Sequence, residues 1–117
     1  MVVELQQKNA EQDENGSVTL TVEWKVGPIQ ARRRAGRLVC EEVGDLLFGR
    51  EPNLVVGDRI VWRVPIVIGV KDAGILGQVG TIDIDANSGE PVYTQDDLDK
   101  MKVVATYLVE RAALVAA

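Results

Sequence analysis

Three oxygen-bearing side chains stand at alternate positions in the second half of the chain: Asp83, Asp85 and Asn87. This D-x-D-x-N pattern supplies the oxygen ligands found at positions one, three and five of a calcium-binding loop. The later positions do not match, because Ser88 replaces the glycine of position six and Thr94 replaces the glutamate of position twelve. We therefore predict no metal site here, and we interpret the two carboxylates as the solvated face of a strand.

The residue types needed for nucleophilic or acid–base catalysis are scarce. The chain has no histidine, a single cysteine (Cys40), and serine only at Ser17 and Ser88. The lack of histidine excludes Ser-His-Asp and Cys-His catalysis, histidine-ligated metals and an imidazole pH switch. A single thiol forms no intrachain disulfide, and we predict that Cys40 is buried and unreactive. We expect no cofactor, and the sequence gives no grounds for an enzyme.

Two groups of residues are candidates for contact with a protein partner. Ile75 and Leu76 are apolar residues between glycines at a predicted loop tip, where they either fold back over the core or form an exposed knob. The second group is the basic cluster of a predicted helix, which either binds an acidic surface or is a solvated face balanced by neighbouring glutamates. Its candidate contact residues are Arg33, Arg34 and Arg37, next to Arg32.

Glycines and tryptophans have structural interpretations. Gly74, Gly77 and Gly80 form a G-x-x-G-x-x-G string that matches neither a P-loop nor a dinucleotide-binding fingerprint, so we assign it to turns and bulges. Trp24 and Trp62 each lie on the apolar face of a predicted strand, which favours a role as core anchors.

Hydrophobic periodicity predicts the elements that position these residues. In chain order they are a strand over 18–26, a helix over 28–48, a loop over 50–59, a strand over 59–70, a connection over 71–77, a strand over 78–86 and a helix over 95–115. Pro65 predicts a bulge or an edge position within the second strand. We expect an α+β fold with an antiparallel three- to four-stranded sheet packed against a long helix, and with an additional C-terminal helix. Residues 1–17 are predicted to be a flexible N-terminal segment or a short edge strand, and 18–117 a single α+β domain.

Composition limits the classes of partner. The 117 residues suit one domain, and 46% hydrophobic with 26% charged residues is ordinary for a globular protein. A net charge of -5 disfavours nucleic acid and anionic membranes, since both require a basic face. No apolar run reaches the roughly 18–20 residues that span a bilayer, and the first residues lack the pattern of a signal peptide. We therefore expect no membrane partner and a cytoplasmic location.

Part of the chain resembles a known family. The strand start at Trp62-Arg63-Val64, a glycine-rich hairpin, and the run Thr81 to Ala86 followed by Asn87-Ser88-Gly89-Glu90 resemble PepSY-type modules. In that family a W-x-V strand pairs with a strand that ends in V-D-A-x-T/S-G-E. The resemblance covers about 28–93 and implies a cystatin-like sheet half-wrapped around a helix, with non-enzymatic binding or inhibition, often of proteases. The long C-terminal helix has no counterpart in the family.

Two functional hypotheses follow. The first is a small protein-interaction module, regulatory or inhibitory, that binds a protein partner or a second copy of itself as a homodimer. It rests on the missing catalytic chemistry, the apolar loop tip and the apolar carboxy-terminal AALVAA. The alternative is a ligand-binding or enzymatic cystatin-like domain that relies on Asp83, Asp85, Asp45 or Tyr107. A pocket of roughly 300 Å³ or more with converging polar groups would favour this alternative.

Overall fold

The computed structural model describes residues 3–5 and 21–116 and shows an α+β fold with two helices. Its elements in chain order are β1 (Val3–Leu5), α1 (Pro28–Glu42), β2 (Leu47–Gly49), β3 (Asn53–Val56), β4 (Ile60–Val70), β5 (Gly74–Asp85), β6 (Pro91–Val92) and α2 (Gln95–Ala116). The predicted fold class, an antiparallel sheet with a long helix and a further C-terminal helix, is confirmed at this level. The strand count was underestimated, because the described residues form a sheet of six strands rather than three or four.

The sheet is organised around β4. On one edge β4 pairs with β5, and on the other edge it pairs with both β2 and β3, all antiparallel. The six strands therefore occupy five positions, in the order β1-β3-β4-β5-β6 with β2 in line with β3. β1 extends this side through a parallel pairing with β3, and β6 forms the short opposite edge.

Pro65 explains why β2 and β3 are separate strands. The backbone N–H of Arg50 donates to the carbonyl of Pro65 at 2.8 Å, so residues 50 and 65 face each other across the ladder. Proline has no N–H to return the second hydrogen bond of such a pair. The ladder is interrupted at this point and resumes at Asn53, opposite Arg63. Pro65 thus lies in the central strand, opposite a break in its neighbour, rather than at an edge.

Two bulges in β5 shape the surface that receives α2. Ile66 pairs with Gly80 while Val67 pairs with Gln78, so Val79 is an extra residue that turns into the core. Leu76 is the extra residue of a second bulge nearer the hairpin turn.

Glycines next to these bulges allow α2 to pack closely against the sheet. A Cβ at Gly80 would lie 3.0 Å from Met101 Cε, and one at Gly77 would lie 3.1 Å from Leu108 Cδ1. The helix can approach β5 closely because both positions lack a side chain. Gly74, the third glycine of the string, has φ +76 at the hairpin, a conformation that side chains rarely adopt.

Both helices pack on one face of the sheet, and Trp62 lies at the centre of the core. A single buried cluster contains residues of both helices and of the strands β3, β4 and β5. Trp62 is fully buried, and its cross-strand neighbours are Leu54 of β3 and Ile84 of β5. Its Nε1 donates a hydrogen bond to the carbonyl of Val26 at 2.8 Å. The ring of Trp24 meets that of Trp62 edge-on at 5.0 Å, but Trp24 itself is 39% exposed.

Several predicted boundaries were wrong. The predicted strand over 18–26 lies partly outside the described residues, and its described part, 21–26, pairs with no strand. The N–H groups of Lys25 and Val26 both donate to the carbonyl of Ala86. The segment therefore covers the end of the sheet without adding a strand to it. The helix predicted to reach 48 ends at Glu42, because the N–H groups of Val43 and Gly44 both bond to Val39 and close its last turn. The predicted loop over 50–59 contains β3.

The close packing of α1 on β2 predicts opposite effects for two glycines. A Cβ at Gly49 would lie 2.9 Å from Val64 Cγ1 and 3.2 Å from the carbonyl oxygen of Arg32, so Gly49→Ala should destabilise the fold by about 1–3 kcal/mol. At Gly36 the nearest atom would be 3.7 Å away, so Gly36→Ala should stabilise α1 by up to about 1 kcal/mol. Urea unfolding followed by circular dichroism measures both changes. Equal effects of the two substitutions would contradict this account.

Candidate functional site

The two aspartates of the D-x-D-x-N pattern bind different partners. Asp83 faces Arg63 across the β4–β5 ladder, with Arg63 Nε at 3.0 Å from Oδ1 and Nη2 at 3.2 Å from Oδ2. Such a bidentate, half-buried pair binds two strands together and uses both oxygens of the carboxylate. In the described part of the chain, no group of three or more acidic or cysteine side chains is placed to hold a metal ion.

Asp85 organises the turn after β5. Its Oδ1 accepts hydrogen bonds from the backbone N–H groups of Asn87 at 2.8 Å and Ser88 at 2.9 Å, while Arg59 Nε lies 3.6 Å from Oδ2. The N–H groups of Ser88 and then Asn87 are the main reason that the pKa of Asp85 lies below its ordinary value. Asn87 is exposed in this turn, and the three residues of the motif do not converge.

Two arginines of the basic cluster serve the fold. Arg32 Nε donates to the carbonyl of Gly49 at 2.8 Å and so fastens α1 to β2. Arg34 Nη1 donates to the carbonyl of Gly89 at 2.7 Å and fastens the same helix to the turn after β5. Their guanidinium groups therefore point to different parts of the sheet and do not form one patch.

The remaining arginines are more exposed. Arg37 forms an exposed i,i+4 pair with Glu41, at 3.0 Å between Nε and Oε1. Arg33 is exposed and lines a shallow cleft with Ile29 and Phe48. Of the three arginines predicted to contact a partner, Arg33 is exposed to solvent, Arg34 bonds to the backbone of the fold, and Arg37 pairs with a glutamate of its own helix.

Ile75 and Leu76 lie inside β5 rather than at a loop tip, because the turn of the hairpin occupies 71–73. Leu76 is half-buried and packs against the core, whereas Ile75 is 48% exposed. Only one of the two residues therefore presents an apolar side chain to solvent.

Cys40 is exposed, and the prediction of a buried thiol was wrong. The inward face of α1 is set by Ala31, Ala35 and Val39, which are fully buried at helical spacing. Cys40 follows Val39 directly and is turned about 100° away from that face.

A strongly exposed apolar surface lies on α2, and sequence reasoning had singled out only its AALVAA end, which contains Leu114. Leu98, Met101 and Ala105 are buried against the sheet. Val103, Tyr107 and Leu114 lie within about 40° of one another on the opposite side of the helix. Their exposed fractions are 70%, 57% and 78%, respectively. We call these three residues the α2 stripe. Their spacing of four and seven residues was visible in the sequence, but the stronger pattern of the buried face concealed it.

Beside the stripe, an open groove of about 410 Å³ runs between α2 and the loop after α1. Its walls are mainly apolar, with Leu46, Ile68 and Val109 among them, and Asp45, Lys102, Glu110 and Thr106 lie at its rim. The groove is open to solvent, and its lining includes Leu47, Ile68 and Ala105 of the buried core cluster.

No family model matches the chain, and searches of curated proteins and of solved structures gave no significant match. The resemblance of 28–93 to PepSY-type modules therefore stays a proposal. Within the described part of the chain, neither helix combines the length and the apolar character needed to cross a membrane.

The turn held by Asp85 predicts a pH-dependent contribution to stability. Because folding lowers the pKa of Asp85, its contribution is fully present above the ordinary value near 3.8 and is lost as the pH falls through the lowered value. Asp85→Ala should destabilise the fold at pH 7 by about 1–2 kcal/mol. Asp85→Asn should cost less, and its difference from the native chain should vanish in strong acid.

Urea unfolding between pH 7 and pH 2 measures this difference. Asp58→Asn is the matched control, since Asp58 is an exposed aspartate outside the turn. A constant difference between the native chain and Asp85→Asn across this range would disprove the assignment.

Proposed function

We propose that this chain is a non-enzymatic protein-interaction module, regulatory or inhibitory, that binds a protein through the α2 stripe. The observation that carries the proposal is the set of three large apolar side chains held in solvent on the face of α2 that turns away from the core. Burial of each such side chain in an interface contributes roughly 1.5–3 kcal/mol, so the stripe is a source of binding energy that the monomer does not use.

The chemistry of the rest of the molecule supports this class of function. Two of the three candidate acidic residues are engaged in the Arg63–Asp83 clamp and the Asp85 turn, and the exposed thiol of Cys40 has no acidic or basic partner among the described residues. A helix that presents apolar residues at spacings of four and seven matches the way amphipathic helices are recognised by protein partners. The PepSY-type resemblance supports the same class, because it implies binding or inhibition without catalysis.

We also propose a cytoplasmic location and a partner that is neither nucleic acid nor membrane. The single exposed cysteine suits a reducing compartment, which supports a cytoplasmic protein. The net charge of -5 makes nucleic acid and anionic membranes poor partners.

The groove beside α2 favours a second candidate function, the binding of a small apolar ligand. Its volume of about 410 Å³ is within the range of ligand pockets, and polar groups of Asp45, Lys102 and Thr106 line its rim. The open shape of the groove makes this the weaker candidate, since ligand sites usually enclose most of the ligand surface.

Site-specific photo-crosslinking tests the interaction module. A benzophenone amino acid replaces Tyr107 on the stripe or Tyr93 before α2; both tyrosines are partly exposed, at 57% and 40%. In cells of the native host, we expect a discrete protein adduct at position 107 that is at least tenfold stronger than at position 93. The mass of the adduct shows whether the partner is another protein or a second copy. Equal or absent adducts at the two positions would refute the proposal.

A dye titration tests the ligand candidate. If the groove is a ligand site, a fluorescent apolar dye should bind saturably with one equivalent per chain, and Val109→Trp should abolish binding by filling the groove. Val103→Trp adds the same side chain outside the groove and should leave binding intact. A lack of saturable binding would remove this candidate and would leave the interaction module unaffected.

A further inference from the structure

Two charged residues flank the α2 stripe without partners of their own. Taking Tyr107 and Leu114 as the centre of the face, Glu110 lies about 50° to one side and Arg111 about 50° to the other. Neither has an ion pair or a side-chain hydrogen bond with any other described residue. They cannot pair with each other, because adjacent residues of a helix point in different directions.

We infer that the partner of the α2 stripe is a second copy of this chain, bound with the two α2 helices side by side and parallel about a two-fold axis; this inference rests on the proposed function. A two-fold axis that runs along a pair of parallel helices brings the left flank of one helix against the right flank of the other. Glu110 of each copy then lies beside Arg111 of the second copy, and two reciprocal ion pairs form. Tyr107 and Leu114 meet their own counterparts in apolar layers about one helical turn before and one turn after these pairs.

The same charges disfavour an antiparallel pair that packs Tyr107 of one copy against Leu114 of the other. In an antiparallel two-fold pair each flank meets the same flank of the second helix, and the axis of this pair would cross α2 at 110–111, so that Glu110 would lie beside Glu110 and Arg111 beside Arg111. Like charges at such positions are destabilising. Nearer the start of α2, Asp96 does not disturb the parallel pair, because Lys100 neutralises it at 2.9 Å on the same helix.

The size of the contact sets the expected strength. The stripe from Val103 to Leu114 spans about three helical turns, which is a contact at the small end of protein interfaces. We therefore expect a weak, reversible dimer, which sedimentation equilibrium can measure on the full chain at concentrations up to about 1 mM. A salt concentration of about 0.15 M screens the overall repulsion between two chains of charge -5.

Charge reversal tests the pairing. Glu110→Arg and Arg111→Glu should each weaken self-association at least tenfold, since each turns both ion pairs into repulsions. An equimolar mixture of the two variants should recover a heterodimer, and the double variant E110R/R111E should recover the homodimer. Matched reversals on α1, Glu42→Arg and Arg33→Glu, should leave association unchanged because they lie outside the contact. The substituted positions are exposed, so unchanged unfolding curves will show that folding is intact.

A cysteine variant tests the orientation. In a Cys40→Ser background, Leu114→Cys should form an interchain disulfide under mild oxidation, because a parallel pair brings the two 114 positions together. Tyr93→Cys in the same background should not. Failure of the cysteine at 114 to cross-link, while the chain still dimerises, would overturn the parallel arrangement.

The possible outcomes separate this inference from the proposed function. A chain that stays monomeric up to about 1 mM would overturn the second-copy inference. A photo-adduct of position 107 with a different protein would do the same, yet it would support the interaction module. A mixture of charge variants that fails to associate, beside a native chain that dimerises, would show that another surface mediates the dimer.

Discussion

The burial of Trp62 is the interaction on which the other elements depend. Its side chain is fully buried in the central strand, and its register neighbours are Leu54 of β3 and Ile84 of β5. Its one polar atom must find an acceptor inside the core, and the carbonyl of Val26 supplies it at 2.8 Å. This requirement fixes the segment before α1 against the end of the sheet and thereby places the start of α1. A buried indole thus joins three strands and a helix, where an aliphatic side chain would supply only apolar contact.

The position of the core determines which surface is left for function. Because α1 and α2 share one face of the sheet, each helix buries only one side, and α2 buries it mainly between Leu98 and Leu108. The last turns of α2 continue past that region, so Leu114 and Val115 remain about four-fifths exposed. A helix that needed only to cover the sheet would carry polar residues there. The apolar stripe is therefore a property of the sequence of α2 that packing of the monomer does not explain.

Sequence patterns predicted the helices, the two long strands and the fold class, because these elements have strong hydrophobic periodicity. They missed β2 and β3, since a three-residue and a four-residue strand have no readable period and depend on β4 for pairing. They also misplaced the site residues. The destinations of Arg32 and Arg34 are backbone carbonyls at positions 49 and 89, and no local pattern reveals a partner that far along the chain. The α2 stripe was readable in principle, but a helix with two apolar faces yields an ambiguous periodicity.

The edge of the sheet is the obvious competitor of the α2 stripe as a place for association, because β5 pairs with β6 only at Asp83 and Ile84. Among the described strands, the rest of its outer edge has no neighbour, and such an edge invites addition of a strand from another chain. The two bulges at Leu76 and Val79 lie in this free stretch and break the regular spacing of its N–H and carbonyl groups. A partner strand would meet a discontinuous ladder there, whereas a partner helix would meet the three exposed apolar side chains of the α2 stripe. The same bulges that seat α2 on the sheet thus also make this edge a poor template for strand addition, which supports the outer face of that helix as the proposed surface for association.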